Sequence, residues 1–215
     1  MEGTEMGTAK ETYKKVIIGE LGPMNPVSCK FALELIDRVP DYFWKESASS
    51  TGNHHPDFSL GEGGLARHSL MVYRWLKMLL EANEQDMKEF VPGMVIASLF
   101  HDCCKRGMPD IVQEHTAFEH PLLSAKFVLD NAERFAKENA DFMEQSIEDE
   151  DAFKHNVAVA VSCIETHMGR FNTSKHSEVV LPKPKTPMQY MVHLADYIAS
   201  RKCTTFDQDA FSMEN

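Results

Sequence analysis

Strand signals are nearly missing from this 215-residue chain, with only residues 179–181 carrying a short β-like run. That scarcity sets aside the sheet-based classes and points to an all-α fold. Positive charge is also short: Lys plus Arg number 22 against 33 Asp plus Glu, a net charge of −11. The balance excludes a protein that coats long nucleic acid electrostatically, but not one that takes a small or short anionic partner. No apolar run reaches the roughly 20 residues a bilayer-spanning helix needs, and residues 1–11 are too polar for a signal peptide. The expectation is a cytoplasmic protein with no membrane partner. The five cysteines form no C-x-x-C pair, which sets aside a disulfide framework and a thiolate zinc site. Linker-like Gly/Ser or Pro stretches and internal repeats are absent too. One domain is expected over 1–215, with N-terminal helices in 1–46, a core in 65–201 and a tail in 202–215.

What is present is helical punctuation. Thr8 with Glu11 reads as a capping box for a first helix ending near Gly19 and Gly22. Asn25 before Pro26 opens a helix to Arg38. Residues 47–64 form a loop by composition, and residues 65–82 repeat apolar side chains at helical spacing. Residues 94–104 are apolar almost all round and predict a buried central helix. Pro121 opens a helix to about Asn139, residues 141–151 are acidic and solvated, and residues 152–167 are helical again. A loop over 172–187 leads to a last helix, capped by Thr186 and Pro187, through Arg201.

Ten histidines are the unusual count, and their positions carry the chemistry. His101 and Asp102 fall inside the apolar run VIASLFHDCCK. Burying an unpaired carboxylate costs several kcal/mol, so a partner is required, and a metal ion suits adjacent imidazole and carboxylate. Asp196 poses the same problem in YMVHLADYIAS. His68 opens an amphipathic helix, His120 sits at the N-cap before Pro121, and His167 closes a helix before Gly169. Taken singly, a His on an apolar face is more often a hydrogen-bonded core residue than a ligand. Jointly, five segments bring His or Asp to helix ends or apolar faces, which is how helical bundles build metal sites.

The order His68, His101-Asp102, His120, His167, Asp196 resembles the HD-domain superfamily of metal-dependent phosphohydrolases over residues 65–201. His120 and His167 are similar to the members that hold two metals. SASSTGNHHPDFSLGEGGLARHSL, FHDCCK and EHPLLSA resemble the HD domains of bacterial oligonucleotide 3′–5′ exoribonucleases. ETHMGRF and HLADYIASR resemble the symmetrical dinucleoside-tetraphosphate hydrolases. Two features depart from the exoribonuclease pattern: no OB domain precedes the HD motif, and His167-Met168 stands where a His pair is usual.

The resemblance implies an HD-like helical bundle with a metal site in its core. His68, His101, Asp102 and Asp196 would hold one ion, and Asp102 would bridge to a second completed by His120 and His167. Imidazole and carboxylate without thiolate suit Mn, Fe, Co, Ni or Zn. The implied reaction is hydrolysis of phosphoester or phosphodiester bonds in nucleotides or short oligonucleotides by a metal-activated hydroxide. The alternatives are a dinucleoside polyphosphate hydrolase and a catalytically weak nucleotide-sensing module. Lys105, three residues after Asp102, is assigned to phosphate binding or leaving-group stabilisation, against a Lys that merely snorkels at a helix end. Arg106 and Arg170 are candidate substrate ligands, and Arg67, Lys175 and Arg201 also lie near the motifs. His55, beside His54 in the polar loop, is a candidate substrate contact or a solvated residue. His193 has the spacing of a supporting residue for Asp196. Cys103 and Cys104 read as core packing.

Overall fold

The computed structural model describes residues 2–49, 52, 55–84 and 86–203, with side chains from residue 9 onward. His54 and tail residues 204–215 lie outside the described residues. The helices are α1 (Glu2–Leu21), α2 (Pro26–Arg38), α3 (Asp41–Lys45), α4 (Gly64–Ala82), α5 (Val91–Phe100), α6 (His120–Glu138), α7 (Ala140–Glu144), α8 (Glu150–Thr166) and α9 (Pro187–Ala199). Among the described residues there is no strand, only an isolated bridge between Ser174 and Ser177. None of these helices is long and apolar enough to cross a membrane.

α5 is the axis of the molecule because its sequence has no polar face to offer water. Every residue from Pro92 to Phe100 is buried, and a fully buried Phe or Leu contributes about 2 kcal/mol. α4, α8, α1 and α9 pack around it. Gly93 permits the closest approach: a Cβ there would lie 2.5 Å from the Asn156 carbonyl oxygen and 2.6 Å from Val159 Cβ. α9 packs along α4, and α6 along α8.

The N-terminal helices belong to the same core. Tyr13 packs edge-on against Phe43, Trp44 and Phe100, and its hydroxyl faces the carbonyls of Ala66 and Leu99 at 3.2 Å each, joining α1 to α4 and α5. Phe31, Phe135 and Phe153 form a second aromatic group between α2, α6 and α8.

Several boundaries differ from the sequence expectations. α1 begins at Glu2, so Thr8 lies within a helix instead of capping one. The short helix α3 has no forerunner in the sequence reading; its Tyr42, Phe43 and Trp44 are all buried. Residues 179–181 are not a strand, since the described residues hold no partner strand for them to pair with. Glu119, not His120, is the N-cap of α6, and His120 is its first residue. α9 ends at Ala199, where Ser200 closes the helix by bonding back to Asp196 and Ile198. The acidic segment is not wholly solvated: Glu148 is buried and accepts from Ser28 N at 2.8 Å, from the Ser28 hydroxyl and from Asn156 Nδ2 at 2.9 Å. It caps α2 from a distance, a role the Asn25 side chain does not fill.

The most consequential difference concerns α5. It ends at Phe100, and residues 101–106 are successive turns. His101 and Asp102 therefore follow the apolar helix instead of interrupting it.

Candidate metal centre

Each candidate ligand sits where a helix begins, ends or faces the core. Gly63, at φ +68°, turns the chain into α4. Arg67 holds the preceding loop by donating to the carbonyls of Phe58, Leu60 and Glu62, which leaves His68 facing inward. The turn bearing His101 and Asp102 is pinned on two sides: Cys104 N–H donates to Ser124 Oγ at 3.0 Å, and the Tyr42 hydroxyl donates to the Gly107 carbonyl at 2.6 Å. His167 follows α8 directly. Its backbone is fixed by His193, whose Nδ1 donates to the His167 carbonyl at 2.6 Å. Gly169 leaves space for that ring, because a Cβ there would lie 2.2 Å from His193 Cε1.

The three histidines at these ends share one hydrogen-bonding arrangement. Nδ1 of His101, His120 and His167 lies 3.0, 2.7 and 2.7 Å from the carbonyls of Ser98, Ala117 and Ile164, three residues back in each case. A carbonyl only accepts, so each Nδ1 carries a proton and Nε2 is the nitrogen each ring turns to the centre. That tautomer and that support are what metal-ligating imidazoles require.

The Nε2 atoms converge on two carboxylates. Asp196 Oδ1 lies 3.0 Å from His68 Nε2 and 3.7 Å from His101 Nε2. Asp102 Oδ1 lies 3.0 Å from His120 Nε2 and 3.6 Å from His167 Nε2, yet it accepts no hydrogen bond in proper geometry. His101 Nε2 and His68 Nδ1 are likewise buried without a hydrogen-bond partner. Unpaired buried atoms of this kind cost about 1–3 kcal/mol each. Two overlapping groups, His68–His101–Asp196 and His101–Asp102–His167, hold donor atoms within 4.8 Å of one another. The donor set therefore suits a metal ion, and His120, outside both groups, adjoins them through Asp102 and His167. The other Asp102 oxygen, Oδ2, accepts from Lys105 Nζ at 2.6 Å, with that Lys side chain only 14% exposed.

The electrostatics follow from burial set against these neighbours. Burial raises the Asp102 carboxyl, but Lys105, His101 and His120 outweigh it and hold it well below the usual carboxylate range. Asp196 is also raised by burial and more strongly lowered by the His68 bond and by His101. Burial pushes His101 down to about 4 and His55 down to about 3. His120 and His167 stand with Nε2 atoms 3.3 Å apart, a spacing that admits one proton between them. Burial wins at His120, which is lowered. At His167 the facing Asp102 wins over burial, and that ring is raised. Both carboxylates are thus ionised at neutral pH.

A cavity of about 390 Å³ opens onto this cluster, and His55, Lys105, Met168, Phe171, Tyr197 and Arg201 are among the residues of its wall. His55 packs against His68 with ring centres 4.9 Å apart, and its Nδ1 is buried without a partner. Arg170 stands at the rim, bonded to the Tyr197 hydroxyl at 2.9 Å. Arg106 lies elsewhere: its guanidinium is ion-paired with Glu46 and donates to the Gln113 carbonyl. Cys103 and Cys104 are buried in the core and absent from the cavity wall. Sequence reasoning gives Phe171 and Tyr197 no role and notes Met168 only as a departure from the exoribonuclease pattern; their signal is adjacency to His167 and Asp196. A larger cavity of about 1010 Å³ lies between α6 and α8, lined by side chains that do not converge on a ligand point. No protein-family profile, curated protein or solved structure matches the chain.

Proposed function

We propose that this chain is a metal-dependent phosphohydrolase of the HD-domain type, cleaving phosphoester or phosphodiester bonds in nucleotides or short oligonucleotides. The observation that carries the reading is the convergence of three Nδ1-tethered imidazoles on Asp102 and Asp196, with Asp102 Oδ1 and His101 Nε2 buried and unpaired. His68, His101 and Asp196 would hold one cation, and Asp102, His120 and His167 a second, with His101 and Asp102 at the junction. Two such cations supply charge that acidifies a water and polarises a phosphoryl oxygen. Lys105 fixes Asp102 through Oδ2 while lining the cavity, so its remaining protons face a bound phosphate. His55 and Met168 line the same cavity beside the cluster.

Dinucleoside polyphosphate hydrolysis is the alternative within this chemistry, and a nucleotide-sensing module the alternative outside it. Mn-loaded protein incubated with short oligonucleotides, dinucleoside tetraphosphates, cyclic dinucleotides and nucleoside phosphates should yield products from one class, identified by mass spectrometry. Stepwise 3′ shortening supports the leading reading, and nucleoside diphosphates from a tetraphosphate support the first alternative. No product from metal-loaded protein overturns hydrolysis and leaves the sensing module.

A further inference from the structure

The rim of the metal cavity carries a cluster that hydrolysis itself does not use. Phe171 and Tyr197 lie with ring centres 6.3 Å apart and planes 15° from parallel. Arg170 Cζ is nearly equidistant from both, 4.9 Å from Phe171 and 5.1 Å from Tyr197. Arg201 stands 4.3 Å from the Tyr197 ring centre. Phe171 remains 44% exposed while lining the cavity, so a flat apolar face is turned to solvent at the entrance.

Two features indicate a ligand for this rim. In a chain of net charge −11, no carboxylate among the described residues lies within ion-pairing distance of Arg170. Its guanidinium is held instead by two rings and one hydroxyl, an arrangement that orients the fork and leaves donors for an anion. Aromatic faces beside guanidinium planes are also the surfaces on which unpaired nucleobases stack. The described cavity wall contains no Asn or Gln, so the bidentate amide pairing that reads an adenine edge is lacking there.

We infer that Phe171 and Tyr197 stack a nucleobase while Arg170 takes the phosphate joined to it, so that the site requires a base but tolerates any base. The inference rests on the phosphohydrolase reading only for the place of the ligand's phosphate, beside the metal cavity. It separates nucleotides from sugar phosphates and other base-free phosphoesters, and it assigns that choice to stacking instead of hydrogen-bonded readout.

The test is equilibrium binding, which does not depend on turnover. The probe is the methylenephosphonate analogue of 2-aminopurine riboside 5′-monophosphate, whose C–P bond resists hydrolysis, titrated into Mn-loaded protein and followed by its fluorescence. Stacking should quench the emission, and ribose 5-phosphate should compete at least tenfold more weakly than adenosine or uridine 5′-monophosphate, which should fall within tenfold of each other. Phe171→Ala should weaken the probe about tenfold, inside the range for base–aromatic stacking. Phe171→Leu, which keeps the apolar contact and so the local fold, should weaken it several-fold. Equal binding of ribose 5-phosphate, an unchanged Kd in both Phe171 variants, or a preference above a hundredfold for one base overturns the inference. Failure of the phosphohydrolase reading registers separately, as the absence of product in the substrate panel.

Discussion

The buried, unpaired atoms at Asp102 and His101 make metal binding a stability question, and the size of the effect can be worked out. A cation that binds the folded chain and not the unfolded one stabilises by RT ln(1 + [M]/Kd), about 2.7 kcal/mol at a hundredfold excess over Kd. For a chain of 215 residues each kcal/mol moves Tm by roughly 2–4 °C, so saturation should raise Tm by about 5–11 °C. The assay is thermal unfolding of chelated protein against protein titrated with Mn, Co, Ni or Zn. Mg and Ca should give little rise, because an imidazole-rich donor set suits the transition metals and hard cations prefer oxygen. Asp102→Asn keeps the side-chain volume while removing the carboxylate that faces Lys105, His120 and His167. That variant should lose most of the metal-induced rise. An identical Tm with chelator and with saturating transition metal would refute the site, as would an undiminished rise in Asp102→Asn.

Three further predictions follow from the same geometry. Burial holds His101 at about 4 against about 6.5 unfolded. The unfolded chain therefore takes up a proton that the native chain refuses, and stability that is full above pH 6.5 falls toward pH 4 by about 3 kcal/mol in all. Because the raised His167 works in the opposite direction, the measurement is a difference: in chelator, His101→Gln should show a slope shallower by about 1.4 kcal/mol per pH unit, and equal slopes count against the argument. Gly169→Ala must place a Cβ at φ +54° and 2.2 Å from the His193 ring, costing about 2–5 kcal/mol by urea denaturation; a loss below about 0.5 kcal/mol sinks the packing account. Glu148→Ala strands Ser28 N–H and the Asn156 amide inside the protein, and should lower unfolding free energy by about 1–3 kcal/mol. Full stability there would show that water replaces the carboxylate.

The sequence made the helices legible where periodicity or punctuation was strong. α2 opens at Pro26 and α9 at Pro187 because proline fixes the first helical turn. The apolar run at 94–104 announced burial but not its own end, since nothing in HDCCK breaks a helix. The break comes from tertiary pinning by Tyr42 and Ser124, which lie 65 and 20 residues away from the groups they bind. Glu148 was illegible for the same reason: a carboxylate among five other acidic residues of 141–151 looks solvated until α2 is placed over it. At the site, residue types unusual for their surroundings pointed to the six candidate ligand positions. Arg106 and Arg170 read alike in sequence, as cations near a motif, and only packing separates the one paired with Glu46 from the one at the cavity rim.

The recurring Nδ1 bond explains why ligands gather at helix ends instead of mid-helix. The last four carbonyls of a helix lack intrahelical partners. A histidine just past the end meets this deficit by donating Nδ1 to the carbonyl three residues back, as His101 does to Ser98 after α5 and His167 to Ile164 after α8. His120 repeats the bond to Ala117 at the turn that opens α6. One contact thus satisfies a buried acceptor, selects the tautomer and aims Nε2 away from the helix. A mid-helix histidine has no such carbonyl free, and among the four candidate ligand imidazoles His68, the one in a helix interior, is also the one whose Nδ1 finds no partner. Its orientation comes instead from Asp196 across the α4–α9 interface. The ligands on Asp102 are therefore fixed by local backbone, whereas the His68–Asp196 half depends on two helices staying in register, so loosening α9 should release that half first.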